Sequence, residues 1–195
     1  NKLEPHRIPV FLYELSSELV KVHSENVMVN YIYGDVLRFN SQKVLALNQY
    51  KKVVKIDPNQ QDAWKELLFL QLNLNQLDSL IVFSYTALDL YPTNPLFYYL
   101  NGLANYYKKN YKQSIESIST GVNFVVDNPN LSSEMYAILG NSYNQIKDYK
   151  KSDESYEKAL GFLPDNVQVL NNYAYYLSLR GENLERAKEM SLTTI

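Results

Sequence analysis

The chain has 195 residues, 19 basic and 21 acidic side chains, a net charge of −2 and no cysteine. That balance argues against a protein held on nucleic acid by phosphate contacts. The lack of cysteine excludes disulfides, thiolate metal sites and cysteine nucleophiles within the chain, and leaves the redox compartment open.

Hydrophobic residues make up 46% and charged residues 21%, which fits a folded chain rather than a disordered one. No apolar run approaches the ~20 residues that span a bilayer. At the start, Pro5 and Pro9 are expected to keep the backbone extended. Residues 10–23 then read as a helix with Phe11, Leu12, Leu15, Leu19 and Val22 on one side. This stretch reads either as the second helix of a preceding repeat or as an N-terminal cap. Neither end carries a start or stop signal, so a fragment of a longer protein is expected.

A repeat follows. Pro58, Pro92, Pro129 and Pro164 recur at steps of 34, 37 and 35 residues. Gly34 and Gly102 are two steps of 34 apart, and Gly140 lies 38 beyond. Such a period marks a helix–turn–helix unit repeated along the chain. The frame gives residues 27–60, 61–94, 95–132, 133–166 and an incomplete 167–195. The third unit carries about four extra residues near Pro129.

The fourth unit is the clearest. Tyr136, Leu139, Gly140 and Tyr143 share one face of its first helix, and Ser152, Tyr156 and Ala159 share one face of its second. Pro164 ends the second helix, because proline lacks an amide donor and clashes with the preceding turn. Gly140, Ser152 and Ala159 fall where two helix backbones approach closely.

At these residues the chain resembles the tetratricopeptide repeat (TPR) family. The pattern is an aromatic, Leu-Gly and Tyr, then small, aromatic, small and proline positions. The second unit shows Trp64, Leu67, Ala87 and Pro92, but has Leu68 for the glycine and Leu80 for a small residue. The first shows Gly34, Ala46, Tyr50 and Pro58, with Asn30 for the aromatic. The third shows Tyr98, Gly102, Tyr111, Ser114 and Gly121, and the fifth Leu170, Tyr173, Ala174 and Leu177. The wealth of asparagine, lysine and tyrosine is similar to TPR proteins of Bacteroidetes-type bacteria.

The resemblance implies an all-α fold, a right-handed α-α superhelix, with first helices lining its concave side. It also implies that the second, fifth, ninth, twelfth and thirteenth residues of each unit face a ligand groove. Among these, Tyr31, Asp35, Lys65, Phe69, Tyr99, Leu103, Tyr106, Asn141, Asn144, Asn171 and Tyr175 are the candidate partner-binding residues. Aromatic rings offer area at low entropic cost, and amides can bond an extended backbone. The expected partner is therefore a peptide or helix of another protein. Some relatives clamp a C-terminal carboxylate with lysines and asparagines. Asn141 and Asn172 match that pattern, but Ala137 stands at the lysine position, so the clamp is incomplete. Nine tyrosines fall on packing positions and read as scaffold: Tyr33, Tyr50, Tyr98, Tyr111, Tyr136, Tyr143, Tyr149, Tyr156 and Tyr173.

Catalytic chemistry is not expected. His6 and His23 are the only histidines, without metal-ligand spacing. The six glycines are scattered and make no phosphate loop. Acidic neighbours such as Asp153 and Glu154 read as solvated surface, and no cofactor is expected. The alternative to a peptide-binding scaffold is a structural module that self-assembles through apolar solenoid ends, as a homodimer or within a larger envelope protein. A ring-stacking RNA or sugar binder is a third reading, disfavoured for RNA by charge and by only four arginines. Envelope and cytoplasm are equally compatible with the sequence.

Overall fold

The computed structural model describes residues 8–193. Pro5 and His6 lie outside them. The described residues contain eleven α-helices and no strand. They form two compact units that divide between Pro92 and Thr93.

The first unit holds α1 (Ile8–Val22), α2 (Val27–Phe39), α3 (Lys43–Ile56), α4 (Gln61–Asn73) and α5 (Leu77–Leu90). Each helix packs on the next. Helix α1 begins before Pro9, so the extended start expected there is not found. Proline is tolerated in a first turn because the amides of that turn have no helical partner anyway.

The second unit holds α6 (Pro95–Tyr107), α7 (Tyr111–Gly121), α8 (Pro129–Gln145), α9 (Tyr149–Phe162), α10 (Val167–Arg180) and α11 (Leu184–Thr193). Sequential helices pack again, and α8 also touches α6 and α10. A 3-10 turn, Val122–Phe124, follows α7. Pro129 opens α8 instead of closing the preceding helix. Its fixed φ suits the first helical position.

Local chemistry sets the helix ends. Asn26, Asn94, Asn128 and Asn166 cap α2, α6, α8 and α10 by accepting a bond from an amide of the first turn, at 3.0, 3.0, 3.0 and 3.2 Å. These bonds satisfy donors that the helix itself cannot pair. The turns within hairpins share one backbone solution. The amides of Gln42, Gln76, Asn110, Asp148 and Glu182 donate to the carbonyls of Leu37, Gln71, Asn105, Tyr143 and Leu177. The residue just before each donor has a positive φ: Ser41, Asn75, Lys109, Lys147 and Gly181. This is the Schellman ending. Only the last turn uses glycine, which adopts that conformation without a Cβ penalty.

Helix crossings inside hairpins conserve volume. A Cβ on Gly34 would lie 3.0 Å from the ring of Tyr50, and one on Gly140 would lie 2.9 Å from that of Tyr156. One on Gly102 would fall 2.4 Å from Ile118. In the hairpin of α4 and α5 the pair is inverted. Leu68 stands at the glycine position, Ser84 stands opposite, and both are fully buried. Two large side chains would force the helices apart, whereas a large and a small one fit in either order.

The first-helix aromatic position also has a function that outlasts its residue type. Trp64 Nε1 donates to the Pro58 carbonyl at 2.9 Å. Asn30, at the same repeat position, donates Nδ2 to the Ser24 carbonyl at 2.7 Å. Both bonds tie the helix to the chain six residues upstream.

Helix α1 is covered on one side only. Ser16 is buried, while Val10, Phe11, Leu12, Leu15, Leu19 and Val22 are all exposed.

Candidate functional site

The first helices of the second unit enclose a cleft of about 250 Å³. Helix α6 supplies Tyr99, Leu103, Tyr106 and Tyr107. Helix α8 supplies Glu134, Ala137, Ile138 and Asn141. Asn166 and, on α10, Gln168, Val169 and Asn172 close the far side. The rise and turn of a helix explain the choice. Residues three or four apart share a face, so positions 99, 103 and 106 form one row and positions 134, 138 and 141 another.

The walls are fixed from behind. Leu103, Tyr99 and Tyr106 pack on a core of Ile118, Met135, Ile138 and Leu139. Asn141 is buried, and its Oδ1 accepts a 2.6 Å bond from the Tyr156 hydroxyl. That tyrosine belongs to α9, so a second helix orients a first-helix amide. Tyr106 stacks obliquely on Tyr107 and Tyr111, with centroids 5.8 and 5.9 Å apart. Burial, together with the neighbouring phenol of Tyr176, pushes the Tyr106 phenol up to about 12. Burial chiefly, and a hydrogen bond to the Glu134 carboxylate, raise that of Tyr99. Both phenols are therefore neutral at pH 7.

Four of the eleven sequence candidates thus come together: Tyr99, Leu103, Tyr106 and Asn141. Three others in this unit do not line the cleft. Asn144 accepts a 3.2 Å bond from Arg180. Arg180 is itself held by Asp153 at 2.6 Å and Glu182 at 2.8 Å, and lies 4.8 Å over the Tyr149 ring. Asp153 is thereby an ion-pair partner rather than solvated surface. Asn171 is exposed, and its neighbour Asn172 lines the cleft instead. One residue is a rotation of about 100° on a helix, enough to change the facing side. Tyr175 is 59% exposed and rests on Tyr176.

The remaining four belong to the first unit. Tyr31 packs edge-on against Tyr50 at 5.6 Å. Its phenol is pushed up to about 12, first by burial and then by Asp35, Asp62 and Glu66. Asp35 accepts a short bond from the Tyr50 hydroxyl and lies 3.9 Å from Arg38. Arg38 also meets Glu66 at 3.4 Å, and Lys65 meets Asp62 at 3.9 Å. Phe69 is half-buried. This face is laced with charges, whereas Glu134 is the one charged side chain lining the cleft.

Sequence reasoning left out Glu134, Ala137, Gln168 and Tyr107 from its main candidates, although each sits on a groove position. It had no signal for Ile138, Asn166 or Val169. No cluster of three metal-ligating side chains occurs among the described residues. No described helix is long and apolar enough to cross a membrane.

Residues 133–166 match the family described as tetratricopeptide repeat. No curated protein matches the chain. Solved structures do. MamA is 21% identical, with a TM-score of 0.73 over 83% of this chain and 91% of that one. YrrB, titled a TPR protein with an unusual peptide-binding site, is 13% identical, with a TM-score of 0.70 over 92% of this chain and 90% of that one. The pilF protein of Pseudomonas aeruginosa is 18% identical, with a TM-score of 0.71 over 86% of this chain and 74% of that one. The segment 133–166 is a tetratricopeptide repeat, and the chain has the all-α solenoid fold of tetratricopeptide-repeat proteins.

Proposed function

We propose that the chain is a non-catalytic interaction module that holds an extended segment of a partner protein in the cleft between α6, α8 and α10. The observation that carries this reading is the cleft itself. Tyr99 and Tyr106 are held by packing and Asn141 by the Tyr156 hydroxyl before any partner arrives, which lowers the entropic cost of binding. The peptide-binding site named for YrrB supports the same use of the fold. Asn144, Asn171 and Tyr175 belong to the rim of this reading, while Tyr31, Asp35, Lys65 and Phe69 would form a separate contact face on the first unit. The test is binding of a partner captured from the source cell to the Tyr99→Ala and Tyr107→Ala variants. Affinity is expected to drop at least about tenfold, the scale of a binding hot spot. Undiminished binding with the helical circular dichroism intact would move the partner to another surface.

The exposed side of α1 favours a second reading, in which the module also self-associates. Five exposed apolar side chains along one helix face, Phe11, Leu12, Leu15, Leu19 and Val22, match what a preceding hairpin would cover, with α1 as the second helix of such a hairpin. Light scattering should then show an associating species that Leu15→Asp abolishes. A monomer at every concentration would end this reading.

A further inference from the structure

The charge and ring content of the cleft say more about its occupant than its shape does. Every residue lining it is apolar, phenolic or amide except Glu134, and no lysine, arginine or histidine is among them. A partner carboxylate or phosphate would meet a carboxylate with no cation to offset it. A partner cation would meet the opposite. Glu134 brings a carboxylate into a cleft that three tyrosines also line, and ring faces attract cations through their quadrupole. Tyr99 and Glu134 line the same cleft, and the Glu134 carboxylate adds to the rise of the Tyr99 phenol, so the two groups are neighbours there. Tyr106 and Tyr107 are neighbours, with centroids 5.8 Å apart and rings tilted by 53° to one another, so they present faces in two orientations. Elsewhere the same fold lays cations on rings: Lys151 lies 5.4 Å from the centre of Tyr143 and Lys158 5.4 Å from that of Tyr136.

We propose that the cleft selects a partner segment by a basic side chain, a lysine being the simplest, inserted between Tyr99, Tyr107 and Glu134. This rests on the reading of the cleft as the binding site. It makes Glu134 the specificity-determining residue, and it makes the surrounding amides the contacts of the partner's backbone. Ala137 then has a role as well: a lysine there would occupy the cation's place and reverse the preference.

The test uses the whole chain and three capped pentapeptides of glycine, with lysine, norleucine or glutamate at the centre. Norleucine keeps the apolar stem of lysine and removes its charge. At millimolar peptide, the amide signals of Ala137 and Asn172 are followed by nuclear magnetic resonance. The lysine peptide is expected to bind about tenfold tighter than norleucine, the combined scale of an ion pair with Glu134 and an exposed cation–ring contact, and the glutamate peptide weakest. In Glu134→Gln the preference for lysine should shrink to about twofold or less, because only the rings remain. Glu134 is exposed, so this variant leaves the fold undisturbed. Ala137→Lys should bring the glutamate peptide ahead of the lysine peptide. Equal binding of norleucine, or a lysine preference that survives Glu134→Gln, would overturn the inference and leave the cleft as a binding site. Signals unmoved by any of the three peptides would overturn it too, and with it the cleft as a site for extended segments.

Discussion

The two units are built on one repeat and differ in how they use it. In the second, the hairpins α6–α7 and α8–α9 set glycine against a large side chain, and a phenolic and amide cleft opens over the first helices. In the first, one hairpin follows that rule and the next inverts it with Leu68 and Ser84. Its first-helix face carries ion pairs. It also holds buried amide atoms without partners: both polar atoms of Gln71, the Oδ1 of Asn30 and the Oε1 of Gln49. Two layers of information are therefore separable. Crossing positions fix how helices pack, and the outward positions of the first helices fix what the surface can hold. The first layer tolerates exchange as long as volume is conserved. The second differs between the two units.

The strongest way to break this comparison is to write the inverted pair into the second unit. Gly140→Leu alone should cost about 3 kcal/mol, since its Cβ would already press on the Tyr156 ring. Adding Tyr156→Ser should restore about 1 kcal/mol, measured by chemical denaturation of both variants. No recovery would mean that the two units do not share a crossing rule. Next comes the tyrosine that braces the cleft. Tyr156→Phe leaves the buried Asn141 oxygen without its donor and should cost about 2 kcal/mol. Tyr50→Phe in the first unit should cost less, about 0.5 kcal/mol, because Asp35 is 41% exposed and also has Arg38. Equal losses would show that exposure does not separate the units here. Gln71→Leu should raise stability by about 1 kcal/mol, as it removes two unpaired buried polar atoms at a position where α2 and α10 carry leucine. The smallest effect is expected at a turn. Lys147→Gly should add about 0.5 kcal/mol by relieving a positive φ of 65°. The same change at Lys109 should match it, and a clear difference would show that the two turns are not equivalent.

Much of the fold was legible because its signals are local. Prolines after α3, α5 and α9, and glycines at the crossings, repeat at a fixed step and act on their own backbone. Pro129 misled because the same residue type can end one helix or begin another, and only the position of the next cap decides. Leu68 looked like a departure from the pattern because its compensation, Ser84, lies sixteen residues away. The site was legible on α6, where the groove positions face α8 directly. On α10 the edge turned toward α8 carries Gln168 and Asn172, so Asn171 and Tyr175 fall outside the cleft. Asn144 was lost to Arg180, a partner thirty-six residues on that no short-range spacing reveals.

The paired crossings have an evolutionary consequence. A constraint on the sum of two volumes is weaker than a constraint on either residue. Once one side chain shrinks, its partner is free to grow, and the next exchange starts from a new pair. A lineage can walk through such compensated steps without leaving the architecture. Sequence likeness then decays while shape persists, which is the pattern seen against YrrB, alike in fold at 13% identity.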